Sequence, residues 1–545
     1  MKLKTYFNAA LLCLATSLFA ACSSNDFAKD DNKENKQEIP QGVRFTINEP
    51  KANAKSRVVI NEDGTVAAKT RTFITHTPGM GADAFWSDND YIWVKNNAGV
   101  WKKSIYTAIT TPDKKHAMFI LPGKLSDYSD GCSVIYNMSQ PVSSPLAGNP
   151  EYLRIDHLQP KNRPNDFSDA GAWGDAGIGK AKLTDAPGEF VFQLTHGVSY
   201  LCLLPRCENA ALGQNIILKK VKLLGDHFLT ATFCNFAADG SVYIPSTPPT
   251  GVPSAMYGNI DSDVANFPLT NTTQDITKNG CYFIIVPGTY NFTITYTIKD
   301  KVTGIETNIE KKVNGVDCKA GEINDIPAWI DKDLKIQPPL KYYYPMAAQD
   351  LYHNHLKADG TYDGVEPQYG DDRYWGSATP NPVFNTIPNL NEARWYAAKG
   401  DAHWATITRV MDGHLWHING IWLKKKAKIM ADEGITKEQM ESGYPKNNPD
   451  DKRDYYIELP GVVGSVSSAP LLNTSDYFFL PVLYEKIAGG LYSFAPDGEY
   501  WVGGIYFGSL TFANIISFNS SEIKAVQTEP FELYSFSAYY ARQFE

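Results

Sequence analysis

The 545-residue sequence lacks the short motifs that mark common catalytic sites. It has no Gly-x-Ser-x-Gly elbow, no Gly-x-x-x-x-Gly-Lys-Ser/Thr phosphate loop and no His-Glu-x-x-His pair, and the segment 464–468, Gly-Ser-Val-Ser-Ser, does not fit the first of these. A carboxylate pair for glycoside hydrolysis stays open, because such a pair is defined in space rather than in sequence. The sequence predicts a protein that is not an enzyme and has no cofactor.

The sequence also has fewer positively charged residues than negatively charged ones. The chain carries 51 Lys and Arg against 60 Asp and Glu, a net charge of −9, and its pI is near 5.7. Binding to nucleic acid generally requires a basic surface, so this balance argues against a nucleic-acid partner. Proteins, glycans or small ligands are the predicted partners.

Long apolar runs are absent except near the start, where Ala9–Ala20 follows Lys2 and Lys4. This run is too short for a permanent membrane helix, and small residues stand before Cys22, which is typical of a bacterial lipoprotein signal. We expect 1–21 to be the signal peptide and Cys22 to carry the lipid. The alternative is an ordinary secretory signal with a chance cysteine, and both interpretations place the protein outside the cytoplasm.

Apolar residues are nearly missing from the next segment, 22–41, which is rich in Lys, Asp, Glu, Asn and Gln. Such a composition cannot bury enough surface to offset the entropy that ordering costs. We therefore predict a flexible tether over 22–41 and a folded region that begins near Gly42.

Cysteine is absent after residue 318, and no cysteines have the repeated close spacing of a zinc site. The mature chain keeps Cys132, Cys202, Cys207, Cys234, Cys281 and Cys318. Most of them stand beside apolar residues, which favours buried free thiols on strands over a disulfide framework. A secreted compartment permits a bridge without requiring one.

Strand patterns dominate residues 42–330. Val43, Phe45 and Ile47 alternate with polar residues, and 290–298 is another β-rich run. Turn pairs such as Asp-Gly at 239–240 and Asn-Gly at 314–315 separate the runs. This pattern predicts a mainly β fold of antiparallel β-sandwiches rather than an α/β fold.

Two breaks, near 206–214 and 330–341, divide the folded part into three predicted domains. The expected domains are a sandwich over 42–208, a second sandwich over 209–335, and an α+β domain over 340–545. The third domain is rich in Trp and Tyr and has the clearest helix signal of the chain.

That helix signal covers 388–400. Asn389 offers a cap, good helix formers follow it, and Gly400 ends the run. We predict one short helix that packs Leu390, Ala393 and Ala397 inward.

Five segments between 40 and 330 stand in a characteristic order. They are the strand 42–47, the Thr-Arg-Thr-Phe segment 70–73, the Trp-containing strand 84–94, the strand 192–201 and the Pro-Gly-Thr-Tyr segment 287–290. In this order they resemble the fimbrillin family of Bacteroides-type anaerobes, in which the fourth segment corresponds to the strand that closes the first sandwich. The resemblance implies two transthyretin-like β-sandwiches in tandem.

The resemblance also implies a life cycle. Fimbrillins are exported as outer-membrane lipoproteins and trimmed at the cell surface by an Arg-specific or trypsin-like protease; loss of the first strand opens a groove that another subunit's carboxy-terminal strand fills. Here the displaced strand corresponds to Val43, Phe45 and Ile47, and the cleaved arginine to Arg57 or Arg71, with Arg57 preferred. The alternative is that both arginines are ordinary surface residues.

The chain departs from shaft-forming fimbrillins because it continues far past Trp329. Its end, 534–542, is predicted to be a strand of the extra domain rather than a free donor, which favours a terminal subunit that accepts a strand but gives none. Segments 391–396 and 498–504 resemble C-type-lectin-like modules. The sugar-binding tripeptides of calcium-dependent lectins are absent, which argues against that mode of glycan binding.

Aromatic side chains are the candidate ligand contacts of the third domain. Trp375, Trp416 and Trp422 could stack on sugar rings or anchor a protein. The alternative is that they build the core of the domain.

No metal site is predicted. His403, Asp412, His414 and His417 lie close together in sequence, yet their spacing and their Trp neighbours favour an aromatic β-surface. The acidic segment 359–372 lacks the spacing of an EF-hand and is predicted to be a solvated loop.

Two hypotheses for function remain. The first is a fimbrial tip or minor subunit that is lipidated, trimmed and assembled by strand insertion. The second is a cell-surface glycan-binding lipoprotein that does not polymerise.

Overall fold

The computed structural model describes residues 39–47, 73–79, 81–140, 148–186, 188–247, 257–270, 273–336, 342–343, 387–443, 461–482, 486–487, 490–491, 497–503, 513–528 and 534–537. The chain divides into two compact units, Met1–Gln41 and Gly42–Glu545. Among the described residues, no helix has the length and apolar character needed to cross a membrane.

The fold is mainly β, as the sequence predicts. The described strands before residue 197 are β1 Val43–Ile47, β2 Phe73–Thr77, β3 Gly81–Phe85, β4 Ile92–Lys95, β5 Trp101–Lys103, β6 Tyr106–Ile109, β7 Ala117–Leu121, β8 Ser133–Asn137, β9 Tyr152–Ile155, β10 Ala176–Leu183, β11 Glu189–Phe192 and β12 Thr195–His196. A 3-10 turn, Leu125–Asp127, and a short helix α1, Ala170–Trp173, lie between them.

One nine-stranded sheet holds most of these strands, in the order β5-β4-β8-β10-β11-β1-β7-β6 with β12 beside β10. Its core is strongly aromatic. Phe45 stacks on Phe190 with ring centroids 4.7 Å apart, and Trp86 meets the edges of Phe119 and Tyr136. Alternating apolar residues along β1 and β4 supply this core, because every second side chain of a strand faces the same side.

A second set of strands and two helices follows: β13 Ser199–Arg206, α2 Ala210–Asn215, β14 Ile216–Gly225, β15 Thr230–Phe236, β16 Val242–Tyr243, β17 Tyr257–Gly258, β18 Ile260–Pro268, α3 Ile276–Asn279, β19 Cys281–Ile285, β20 Gly288–Asp300, β21 Glu306–Cys318 and β22 Ile323–Trp329. They build the sheets β19-β13-β22 and β18-β14-β20-β21, and a smaller sheet β16-β15-β17 that β9 joins. The first two sheets share one apolar core.

The segment 192–201, predicted to close the first sandwich, is divided between two sheets. Phe192 ends β11 and β12 pairs with β10 in the nine-stranded sheet, whereas β13 pairs antiparallel with β19 and parallel with β22. The pairing pattern changes near Gly197. Residues 199–205 are all buried. A continuous apolar run predicts that both faces of a strand are buried, but it does not identify the strands that pair with it.

The third set contains the remaining described elements: β23 Tyr342–Tyr343, α4 Leu390–Lys399, β24 Ala402–Met411, β25 His414–Lys424, α5 Lys426–Glu433, α6 Lys437–Ser442, β26 Val462–Ser467, β27 Tyr477–Pro481, β28 Lys486–Ile487, β29 Gly490–Leu491, β30 Gly498–Trp501, β31 Ala513–Phe518, β32 Glu522–Thr528 and β33 Tyr534–Ser537. Its strands form one sheet in the order β27-β25-β24-β26-β32-β31-β30-β33-β28-β29, with β23 beside β33. We call this set the third region.

The predicted helix is confirmed as α4. Asn389 accepts a hydrogen bond from the Glu392 backbone N–H at 3.0 Å, and the Glu392 carboxylate accepts one from the Asn389 N–H at 2.7 Å. This capping box satisfies two N–H groups that would otherwise lack partners. Leu390, Ala393 and Ala397 are buried, as expected.

The hairpin of β24 and β25 reaches into the second sandwich. Asp412 and Gly413, both with positive φ, form its tight turn. Beside this turn, Val410 and Leu415 are buried in the core that β13 and β14 help to build. The Leu415 N–H donates to Asp300 at 3.0 Å, so the hairpin tip is bonded as well as packed.

The six cysteines predicted to be free are free and buried. Burial raises the pKa of the Cys132 thiol to about 11 and that of Cys281 to about 12. Both thiols therefore stay protonated at neutral pH, which makes them poor nucleophiles.

Candidate functional site

The first strand, β1, lies inside its sheet and not at an edge. It pairs antiparallel with β7, where Phe45 stands opposite Phe119, and parallel with β11, where Phe45 stands opposite Phe190. Both backbone edges of β1 are therefore used. If β1 left, the facing edges of β7 and β11 would lose their partners together.

The inward side chains of β1 fill the core between the two neighbouring strands. Val43, Phe45 and Ile47 are 3%, 0% and 1% exposed. Phe45 also meets the edge of the Tyr128 ring at 5.5 Å. Burial of side chains of this size contributes about 1.5–3 kcal/mol each, or roughly 5–9 kcal/mol for the three.

The start and the outer face of β1 are fitted to their surroundings as well. A Cβ on Gly42 would lie 2.3 Å from the Leu121 carbonyl oxygen, so only glycine allows this approach. On the outer face, the Thr46 hydroxyl donates to the Glu189 carboxylate at 2.7 Å. These contacts fix the register of β1 in the sheet.

The residues predicted for lipidation and cleavage lie outside the described residues. Cys22 precedes them, and Arg57 and Arg71 fall in the segment 48–72 between β1 and β2. The described strands do bracket that segment: Ile47 ends β1 and Phe73 begins β2.

The last described strand, β33, is built into the sheet of the third region. It pairs with β28 at Lys486 and Ser535, with β23 at Tyr342 and Ser537, and in parallel with β30. The carboxy-terminal segment 534–537 thus has strand partners within its own chain.

The candidate aromatic residues of the third region divide between described and undescribed parts. Trp375 lies outside the described residues. Trp416 is 36% exposed, and its indole N–H donates to the Met411 carbonyl at 3.2 Å. Trp422 is half-buried and meets the edge of Phe479 at 5.2 Å.

Trp416 and Trp422 face the same side of β25. They stand six residues apart on a strand with unbroken register, which places them about 20 Å apart. The opposite side carries Leu415, Ile421 and Leu423, which are buried. The two tryptophans therefore belong to the outer face of the sheet, and we call Trp416, Trp422 and Phe479 the aromatic face.

The clustered histidines of this region have separate partners. His414 Nδ1 lies 3.1 Å from Asp300, His403 Nδ1 lies 2.7 Å from the Ala469 carbonyl, and His417 Nδ1 lies 3.3 Å from the Thr408 hydroxyl. Their closeness in sequence does not bring them to one point.

A different cluster unites residues that the sequence keeps far apart. His76, Cys202 and Asp325 are all buried, and their donor atoms lie within 4.8 Å of one another. His76 Nε2 is 2.6 Å from Asp325 Oδ1, and the Gly79 N–H donates to Asp325 Oδ2 at 2.9 Å. We call His76, Cys202 and Asp325 the buried triad.

The sheet β19-β13-β22 explains how two members of the buried triad meet. Cys202 of β13 stands directly opposite Asp325 of β22 on one side and Tyr282 of β19 on the other. His76 comes from the hairpin β2-β3, which reaches the same face. Sequence spacing carries no signal for such a cluster; only the strand pairing creates it.

Comparison with known proteins gives weak likenesses only. No protein-family model matches the chain, and no curated protein matches it either. A solved structure provisionally assigned to cell adhesion, from Bacteroides uniformis, is similar with a TM-score of 0.29 and 12% identity over 45% of this chain and 88% of that one.

Two further solved structures are similar to a comparable degree. A fimbrial protein from Bacteroides ovatus has a TM-score of 0.22 and 13% identity over 61% of this chain and 56% of its own. The fimbrial anchor protein Mfa2 from Porphyromonas gingivalis has a TM-score of 0.19 and 10% identity over 44% and 80%. Likenesses at this level carry no argument about function, which rests on the site itself.

Proposed function

We propose that this chain is a non-enzymatic fimbrial tip or minor subunit, exported as an outer-membrane lipoprotein through Cys22, trimmed, and assembled by strand insertion to mediate adhesion. The observation that carries the proposal is the position of β1 between β7 and β11. A strand in this position is the one whose removal creates a complete binding groove.

The groove would offer both backbone and side-chain recognition. Loss of β1 leaves N–H and C=O groups without partners on two strands, and it vacates the places of Val43, Phe45 and Ile47. An incoming strand with apolar residues at every second position satisfies both needs, because its alternate side chains enter the same core. The partners are therefore other fimbrial subunits.

Cleavage would make the exchange possible. A cut after Arg57 or Arg71 separates β1 and the lipid-bearing start from the rest of the chain. The protein would then pass from an outer-membrane lipoprotein to a component of the fimbrium. Because β33 is already paired within the third region, this strand would not be donated to another subunit, as is expected of a terminal subunit.

Limited trypsin treatment of the purified chain tests the proposal. We expect a cut within 48–72, identified by amino-terminal sequencing, after which a labelled peptide that copies residues 39–47 binds to the cut chain but not to the intact one. A peptide with Phe45→Asp is the matched control and should not bind. With an Arg-specific protease in place of trypsin, which would still cut after Lys51, Lys55 and Lys69, the double variant Arg57→Gln, Arg71→Gln should resist the cut and stay unable to bind.

Two outcomes would count against strand insertion. One is an intact segment 48–72 under conditions that cut other exposed sites. The other is a cut chain that does not bind the 39–47 peptide after size-exclusion chromatography has removed its own first segment.

A second candidate, a glycan-binding lipoprotein that does not polymerise, is favoured by the aromatic face. Its rings present flat apolar surfaces on the outer side of a sheet, which suits stacking on sugars. Retardation of the uncut chain in gels that contain bacterial or host polysaccharide would support this function. The double variant Trp416→Ala, Trp422→Ala should abolish retardation, whereas Trp101→Ala in the first sheet should not.

A further inference from the structure

We propose that the buried triad of His76, Cys202 and Asp325 is a binding site for a single zinc-type divalent transition-metal ion. The inference is independent of strand insertion, since it concerns how the hairpin β2-β3 is held to the second sandwich. It rests on the identity of the three donors, on their geometry and on their charge.

The donors form a set that zinc takes in proteins. An imidazole nitrogen, a thiolate sulfur and a carboxylate oxygen are its three usual ligand types. Calcium and magnesium prefer oxygen alone, so Cys202 selects against both.

The geometry is close to that of a metal site. Bond lengths of about 2.0–2.3 Å to a tetrahedral zinc place its ligands roughly 3.3–3.7 Å apart. The three donor atoms lie within 4.8 Å of one another, and His76 Nε2 and Asp325 Oδ1 are 2.6 Å apart. An ion between them would replace the His76–Asp325 hydrogen bond and separate these two atoms slightly, while Cys202 moves closer.

The strands hold the ligands in place. Cys202 and Asp325 are register partners on adjacent strands, and the Gly79 N–H fixes the second carboxylate oxygen. Tyr282 flanks Cys202 on the third strand, and its hydroxyl donates to Asn165 at 2.5 Å. Three protein ligands leave the fourth position of a tetrahedral ion open.

The charges also match. A thiolate and a carboxylate together neutralise a divalent cation, and the imidazole binds in its neutral form. The site is buried, so an ionic cluster with a net charge would be costly there, whereas the neutral complex is not. The ion would join β2, β13 and β22, which lie far apart in sequence.

A cobalt titration of the full chain tests the inference. The chain is first stripped with a chelator, and Co²⁺ is then added while the thiolate-to-metal absorption band is recorded. We expect one equivalent to bind, Zn²⁺ to abolish the band by competition, and either ion to raise the melting temperature.

Variants assign the band to the buried triad. Cys202→Ser should remove it, and His76→Gln should weaken Co²⁺ binding more than roughly a hundredfold, because loss of a direct ligand exceeds the effect of losing an outer partner. Cys234→Ser is the matched control, since Cys234 of β15 is another buried thiol in the same apolar core, and this variant should keep the band.

The result that overturns the inference needs no variant. If the stripped wild-type chain, shown to be folded by circular dichroism, binds no Co²⁺ in a thiolate-dependent way, the buried triad is a hydrogen-bonded clasp. Equal loss of the band in Cys234→Ser and Cys202→Ser would also overturn it. If Cys202→Ser does not fold, Asp325→Asn replaces it and should weaken Co²⁺ binding; unchanged affinity in that variant would overturn the inference.

Discussion

The strands β1 and β13 occupy the same kind of position in two different sheets, and they differ in how firmly they are held. Each pairs antiparallel with one neighbour and parallel with the other. Three of five residues are buried in β1, against seven of eight in β13. Under the proposed function β1 is exchanged and β13 is not, so the difference between them would lie in the number of buried side chains and in the connection to the next strand.

Truncation of core side chains tests this difference between β1 and β13 with the largest expected change in stability. Phe45→Ala should cost about 3–5 kcal/mol in the free energy of unfolding of the intact chain, and Leu203→Ala on β13 about 2–5 kcal/mol, because each opens a cavity in a closed core. Denaturant unfolding before and after trypsin cleavage measures both.

After trypsin has cut the chain and the first segment has been removed, the two variants should differ in stability. The penalty of Phe45→Ala should vanish, because the residue has left with β1, while the penalty of Leu203→Ala persists. A Phe45→Ala penalty that survives the cut would mean that β1 is held as firmly as β13.

Two buried carboxylates provide a second test, with a smaller expected change in stability. Burial raises the pKa of Asp90, beside the first sheet, to about 6, with Asp175 and Asp88 adding to the rise. The folded chain then holds a proton that the unfolded chain has lost, so stability falls as the pH rises from about 4 to about 6. Asp90→Asn should stabilise the chain at neutral pH by up to roughly 3 kcal/mol, with the gain disappearing in acid.

Asp300, the last residue of β20, has the opposite shift. Burial tends to raise its pKa, but N–H donors from Thr303, Leu415 and Val302 outweigh burial and lower it. Its stabilisation is present at neutral pH and is lost as the pH falls through the lowered pKa. Asp300→Asn should therefore destabilise at neutral pH; thermal melts of both variants across the pH range would contradict this pairing if the two shifts had the same sign.

The smallest predicted effect concerns the entry to β1. Gly42→Ala would bring a Cβ to 2.3 Å from the Leu121 carbonyl, so the strand must shift, at a cost of about 1–3 kcal/mol. Gly443→Ala is the control, since Gly443 has open space around it and an extended φ of 174°. Because the shift concerns β1 alone, hydrogen exchange should accelerate in β7 and β11 and stay unchanged in β19 and β22.

Local features of this fold could be predicted because each depends on neighbouring residues. The alternation Val43, Phe45, Ile47 specifies a half-buried strand, and Asn389 with Glu392 specifies the start of α4. The apolar neighbours of the cysteines likewise indicated burial, which the structure confirms.

Pairings between distant segments could not be predicted in this way. The apolar run of β13 satisfies the first and the second sandwich equally well, since either would bury it, and only the partners β19 and β22 distinguish them. The buried triad depends on such pairings twice over: 249 residues separate His76 from Asp325. When strand register brings the residues of a site together, their spacing in the sequence does not reveal the site.

The tip of the β24-β25 hairpin has a mechanical consequence. Val410 and Leu415 sit in the core of the second sandwich, Asn215 of α2 donates to the Gly413 carbonyl at 2.9 Å, and Thr303 donates to the Leu415 carbonyl at 3.0 Å. Tension applied to the third region therefore reaches the second sandwich through the packed tip of this hairpin as well as through the connecting chain. Apolar packing and several hydrogen bonds must yield together before the two separate.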